Sequence, residues 1–140
     1  MIAVIDASAL VAVVGTRASE QDPRLVKRVE QLTTIHVPDL FLVETYHALR
    51  GMLIGKVISE ERAEIGRTLI DQMPTVATST FELRSRTWSL RHNFTCYDAS
   101  YIALAEALDA PLITTDSKLD APRLHSAAVE VYNVAEWRAK

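Results

Sequence analysis

The stretch "IAVIDASALVAVV", Ile2 to Val14, sets the fold. Its first four residues read as a strand, a helical run follows at once, and Asp6 stands at the junction. The triplet Asp-Ala-Ser recurs in "CYDASYIALAEAL", Cys96 to Leu108. There Asp98 stands at the threshold of a helix, with Tyr101, Ile102 and Ala105 above it on the same face. A helix N-cap accounts for one such aspartate, because its side chain accepts from the orphan amides of the first turn. Several acids at strand and helix ends invite a second reading.

Outward from these junctions, "IAVI" (2–5), "TIHV" (34–37), "TVAT" (75–78), "LITT" (112–115) and "VEVYNV" (129–134) read as strands. Between them lie "PRLVKRVEQL", "DLFLVETYHALRGML", "SEERAEIGRTLIDQM", "TFELRSRTWSLRH" and "DASYIALAEAL", with apolar residues near helical spacing. Pro23 suits a helix start, and Ser59 caps toward Arg62. Strands alternating with helices imply an α/β fold of three layers, with a mostly parallel central sheet flanked by helices. No linker or repeat divides the chain, so residues 1–140 are expected to form a single domain.

Composition narrows the function classes. The chain has 140 residues, 49% of them hydrophobic, enough for a real core. The single cysteine, Cys96, excludes an internal disulfide framework and is expected to be a small buried residue. Asp6, Glu44 and Glu106 interrupt the longest apolar runs, so no membrane span is expected, and the N-terminus lacks a basic leader. A cytoplasmic location follows as the expectation. A net charge of -3 argues against nucleic-acid binding through an overall positive field.

On this map the acids fall in telling places. Asp6 follows the first strand and Asp116 follows "LITT", and ligands of parallel sheets bind beyond the carboxyl ends of strands. Glu44 has Leu40, Phe41 and Ala48 as helical neighbours, so it belongs to an apolar stripe, where an unpaired charge is expensive. Asp98 opens its helix, and Asp120 follows Asp116 by four residues. Two carboxylates about 5 Å apart repel by roughly 3 kcal/mol at an effective dielectric of about 20. Convergence therefore calls for a cation; Mg²⁺ or Mn²⁺ suits hard oxygen donors and supports hydrolysis of phosphodiesters.

The residues "VIDASALVAVV", "VPDLFLVETYHALRG", "YDASYIALAEAL" and "APLITTDSKL" together resemble the PIN-domain ribonucleases, and closely the VapC toxins of bacterial toxin–antitoxin pairs. The likeness runs nearly end to end. It implies a PIN-like fold, and an endoribonuclease in which Asp6, Glu44, Asp98 and Asp116 hold one or two Mg²⁺ or Mn²⁺ ions. It also implies supporting roles for Ser8, Thr115 and Asp120. A cognate antitoxin and RNA are the implied partners. His47 departs from the family pattern, in which many members carry Asn.

Other readings are weaker. A receiver-like phosphoacceptor needs paired acids after the first strand, and a silent PIN-like binding module would lack one of the four. A PIN-type nuclease of RNA processing or DNA cleavage shares the same acids. His36, His47, His92 and His125 lack zinc spacing and read as ordinary surface or core residues. Arg84, Trp88 and Arg91 share a helical face that suits RNA, with phosphates gripped beside a stacked base. A lone aromatic at helical spacing is more often core, so Trp88 is expected to pack inward. "ALRGMLIGKV" and "AEIGRTLIDQM" carry surplus apolar surface, fit for an antitoxin or a homodimer contact.

Overall fold

The structure, a computed structural model, describes residues 2–132. Five strands, β1 (Ile2–Ile5), β2 (Thr34–Pro38), β3 (Thr75–Thr78), β4 (Leu112–Thr114) and β5 (Val129–Val131), form one sheet in the order β3-β2-β1-β4-β5. All four pairings are parallel. The expected strand at 129–134 ends at Val131, and its last two positions lie outside the described residues. Ala3, Val4 and Ile5 of β1 and Leu112, Ile113 and Thr114 of β4 are all buried. Central parallel strands are covered on both faces, which is why they read as unbroken apolar runs.

The helices are α1 (Ala7–Val14), α2 (Pro23–Glu30), α3 (Phe41–Ile54), α4 (Glu60–Gln72), α5 (Arg84–Ser89) and α6 (Cys96–Leu108). Helix α6 packs across β1, β2 and β4 and carries α5, while α1 packs with α3 and α4. The chain adds strands first on one side of β1 and then on the other. Right-handed crossovers therefore place the helices of the two halves on opposite faces. The order reverses between β1 and β4, and this switch opens a crevice beyond their carboxyl ends. Among the described residues no helix is long and apolar enough to cross a membrane.

Two contacts fix the α1–α3–α4 group. Gly66 lies where a Cβ would meet the Val14 carbonyl at 3.0 Å and a Leu49 methyl at 3.3 Å, so its missing side chain lets α4 approach α1. Arg62, in the first turn of α4, donates from one guanidinium nitrogen to the carbonyls of Val14 (2.8 Å) and Thr16 (2.6 Å), capping the end of α1.

Three local expectations are corrected. Asp98 is not the N-cap of α6: Thr95 is, its hydroxyl accepting from the Asp98 amide at 3.1 Å. The helix expected from Asp39 begins only at Phe41, which puts Glu44 in the first turn of α3. Cys96 is exposed, since the first turn of α6 stands clear of the core that begins at Ala99.

Candidate active site

Every acid of the crevice is delivered by the start or end of an element. Asp6 is the N-cap of α1, immediately after β1, and is 5% exposed. A charge so deeply buried requires donors. Its Oδ1 accepts from the Ser8 hydroxyl (2.7 Å) and the Ala9 amide (2.9 Å), and its Oδ2 from the Thr114 hydroxyl. The Thr115 hydroxyl donates to Ser8 Oγ at 2.8 Å, which leaves the Ser8 proton for Asp6. Thr114 Oγ1 accepts in turn from the Asp116 amide at 3.0 Å. Asp116 caps the 3-10 turn Ser117–Leu119, its Oδ1 accepting from the Lys118 amide.

Glu44 and Asp98 come from the first turns of α3 and α6. Tyr101, buried one turn beyond Asp98, donates its phenol to Glu44 Oε1 at 2.6 Å. The result is a cavity of about 420 Å³ lined by Asp6, Ser8, Glu44, Asp98, Tyr101, Thr115 and Asp116, with Ala7 as its apolar member. It opens beyond β1 and β4, at the reversal of strand order.

The electrostatics carry one sign. Burial raises the Asp6 carboxyl above its usual range, against the pull of its three donors, and Asp116 adds repulsion. Glu44 is raised by burial, opposed by the Tyr101 hydrogen bond and reinforced by Asp98 and Asp6. Asp98 is raised by burial and then by Asp6 and Asp116, with Lys118 acting weakly against them. The Tyr101 phenol is pushed up by burial and by its bond to Glu44. Among the described residues no salt bridge involves any of the four acids. The donor set is thus hard carboxylate oxygen with no ion-paired cation among the described residues, which fits Mg²⁺ or Mn²⁺ in kind. As placed, no three His, Cys, Asp or Glu side chains among the described residues stand at ligand spacing.

Not every sequence candidate joins this cavity. Asp120 ends the 3-10 turn, is exposed, and is not part of the lining. Trp88 does not pack inward: it is 62% exposed, because Leu83 and Leu90 fill the core positions of that segment and α5 itself buries nothing. The Arg91 guanidinium lies 4.6 Å from the Trp88 ring centre, and Arg84 lies 3.9 Å from that of Phe81. His125 is structural, its Nδ1 accepting from the Ala127 amide and its Nε2 donating to the Leu119 carbonyl. Sequence reasoning missed Thr114 and the bond from Tyr101. The one available signal was the spacing of Tyr101, on the helical face of Asp98.

A family model described as PIN domain matches residues 3–123. The chain is 40% identical over 123 residues to Ribonuclease VapC1 of Mycobacterium tuberculosis, covering 84% of this chain and 88% of that protein. It is 31% identical over 128 residues to Ribonuclease VapC12 of the same organism, covering 91% and 97%. Among solved structures, VapBC2 from Rickettsia felis, bound to a DNA fragment from its promoter, matches with a TM-score of 0.66 at 15% identity, covering 95% of this chain and 100% of that one. The parallel sheet, the acids at its switch point and these likenesses agree: the chain belongs to the PIN-domain family, among the VapC ribonucleases.

Proposed function

We propose that the chain is the ribonuclease toxin of a toxin–antitoxin pair, and that it hydrolyses RNA phosphodiester bonds at the crevice holding Asp6, Glu44, Asp98 and Asp116. The observation that carries the site is that these four carboxylates line one cavity, three of them raised by burial and mutual repulsion. Its relatives VapC1 and VapC12 are named ribonucleases. The four acids would hold Mg²⁺ or Mn²⁺. When bound, such an ion supplies Lewis acidity at phosphoryl oxygens and lowers the pKa of water to make a nucleophile.

The chain's own residues supply orientation. Thr114 and Ser8 fix both oxygens of Asp6, and the hydroxyl of Thr115 holds Ser8. Tyr101 steers one oxygen of Glu44, leaving the other for the cavity. Arg91 on Trp88 and Arg84 on Phe81 form an exposed strip suited to further RNA contact, through stacking and phosphate pairing. On α3 and α4 and the turn between them, Ile54, Val57, Ile65 and Leu69 are exposed apolar side chains, a surface fit for an antitoxin or a second copy. We place the protein in the cytoplasm.

The decisive test incubates the purified protein with RNA and with DNA, in Mg²⁺, Mn²⁺ and chelator. Cleavage of RNA alone, abolished by chelator, is expected. Asp98→Asn is expected to lose at least a hundredfold in rate while keeping its circular dichroism, because Thr95 and not Asp98 caps α6. Unchanged cleavage by that variant would remove Asp98 from the site.

A further inference from the structure

Glu44 forms a wall of two cavities. On one side is the acid crevice; on the other is a cavity of about 470 Å³ lined by Leu40, Val43, Glu44, His47 and Tyr97, within the range of small-ligand sites. Val43 and His47 stand one turn apart on α3, and Tyr97 directly precedes Asp98 on α6. The two helices that each bring one carboxylate to the crevice thus also bring the walls of its neighbour. Those walls are apolar and aromatic, with the His47 imidazole and the Glu44 carboxylate as polar edge. Val43 is 73% and Tyr97 61% exposed, so neither side chain is explained by the core.

We propose that this second cavity is a base-binding subsite. It takes the unstacked nucleobase flanking the scissile phosphate, with the Tyr97 ring stacking on its face and His47 hydrogen-bonding its edge, and so sets the sequence that is cut. The inference rests on the ribonuclease reading of the crevice. A phosphodiester held at the acids carries a base on either side, and a planar base with an apolar face and a polar edge matches the chemistry of these walls. Single-stranded RNA is recognised in that way, by stacking on aromatic rings and by hydrogen bonds to base edges. A phosphate does not match them: none of the lining residues is Lys or Arg.

The test digests a single-stranded RNA pool, randomised in sequence, with wild type, Tyr97→Ala, Tyr97→Phe and His47→Ala in Mn²⁺. The product ends are sequenced, and kcat and KM are measured on one preferred oligonucleotide. Wild type is expected to show a base preference at a position beside the cut. Tyr97→Ala should flatten that preference and raise KM about tenfold. Tyr97→Phe should keep both, and His47→Ala should change which base is favoured there. A uniform fall in kcat with the preference intact, or a wild-type pattern in both alanine variants, overturns the subsite. A variant that alters only the affinity for a co-purifying protein overturns it too, and assigns the cavity to that partner. Wild type cutting no RNA at all overturns the nuclease reading and the subsite together.

Discussion

Asp6 has both carboxylate oxygens committed before any ligand arrives, and Glu44 has one. Such bonds cost orientation entropy once, at folding, and hold the acid in place for the reaction. Tyr101 tests the idea cleanly, because Tyr101→Phe removes a hydroxyl from a buried ring and little volume. The Tyr101 hydrogen bond lowers the Glu44 pKa against burial, so its loss should raise that pKa further. The acid limb of the kcat/KM profile is then expected to move to higher pH, with a several-fold loss of rate on that limb that shrinks toward the alkaline side. An unmoved limb would mean that Glu44 is oriented by something else. That Asp6, Glu44, Asp98 and Asp116 share one cavity was legible in part from carboxylates at strand ends, at a helix start and on an apolar stripe, and the family resemblance separated them from Asp120. Tyr101 and Thr114 were not legible, since their bonds reach 57 and 108 residues along the chain. A threonine inside "LITT" reads as an ordinary β-branched strand residue.

At the scale of elements, the strands were legible almost to the residue because β1 and β4 are largely buried apolar runs and β2 alternates buried Ile35 and Val37 with half-buried Thr34 and His36. Helix ends were less so. Thr95 opens α6 through a hydroxyl that accepts from the Asp98 amide, and α3 starts at Phe41 with no side-chain cap, neither of which apolar spacing encodes. The segment around Trp88 read as a long helix, yet only Arg84–Ser89 is helical, and it is clamped to α6 by a bidentate pair between Arg86 and Glu106 (2.7 and 3.1 Å). Arg62 shows how a residue with the look of a surface charge serves the fold. Arg62→Met keeps the aliphatic stem but leaves the Val14 carbonyl without its donor. The expected loss is about 1–3 kcal/mol, read as a melting temperature several degrees lower with cleavage specificity unchanged. A variant as stable as wild type would show that water caps α1 equally well.

For the whole molecule, the raised acids give stability a sign. Asp6, Glu44 and Asp98 bind protons more tightly folded than unfolded, starting from ordinary values of 3.8 and 4.5. Their contribution is fully present below those values and is lost as pH rises through the folded ones. Glu106, held near 2 by Arg86, works oppositely: its contribution is present above the ordinary 4.5 and is lost as pH falls through about 2. In chelator these three acids are therefore expected to raise the melting temperature as pH is lowered from neutrality toward their ordinary values of 3.8 and 4.5. Millimolar Mn²⁺ should cancel most of that slope, stabilising most at high pH, where protons compete least. A chelated protein that instead melts lower as pH falls through that range would count against a cluster of like charges. The cluster is also unevenly mounted. Asp6 and Asp116 hang from the central strand pair, the Asp6 amide bonded to the Ile113 carbonyl at 3.1 Å, whereas Glu44 and Asp98 ride on the first turns of two helices. Amide hydrogen exchange should separate the two mounts. Protons near Asp6 and Ile113 exchange only through global opening, and those at the starts of α3 and α6 through local fraying that adding Mn²⁺ suppresses. Half of the site is then a fixed anvil, and the other half a pair of jaws that a bound cation would hold in place.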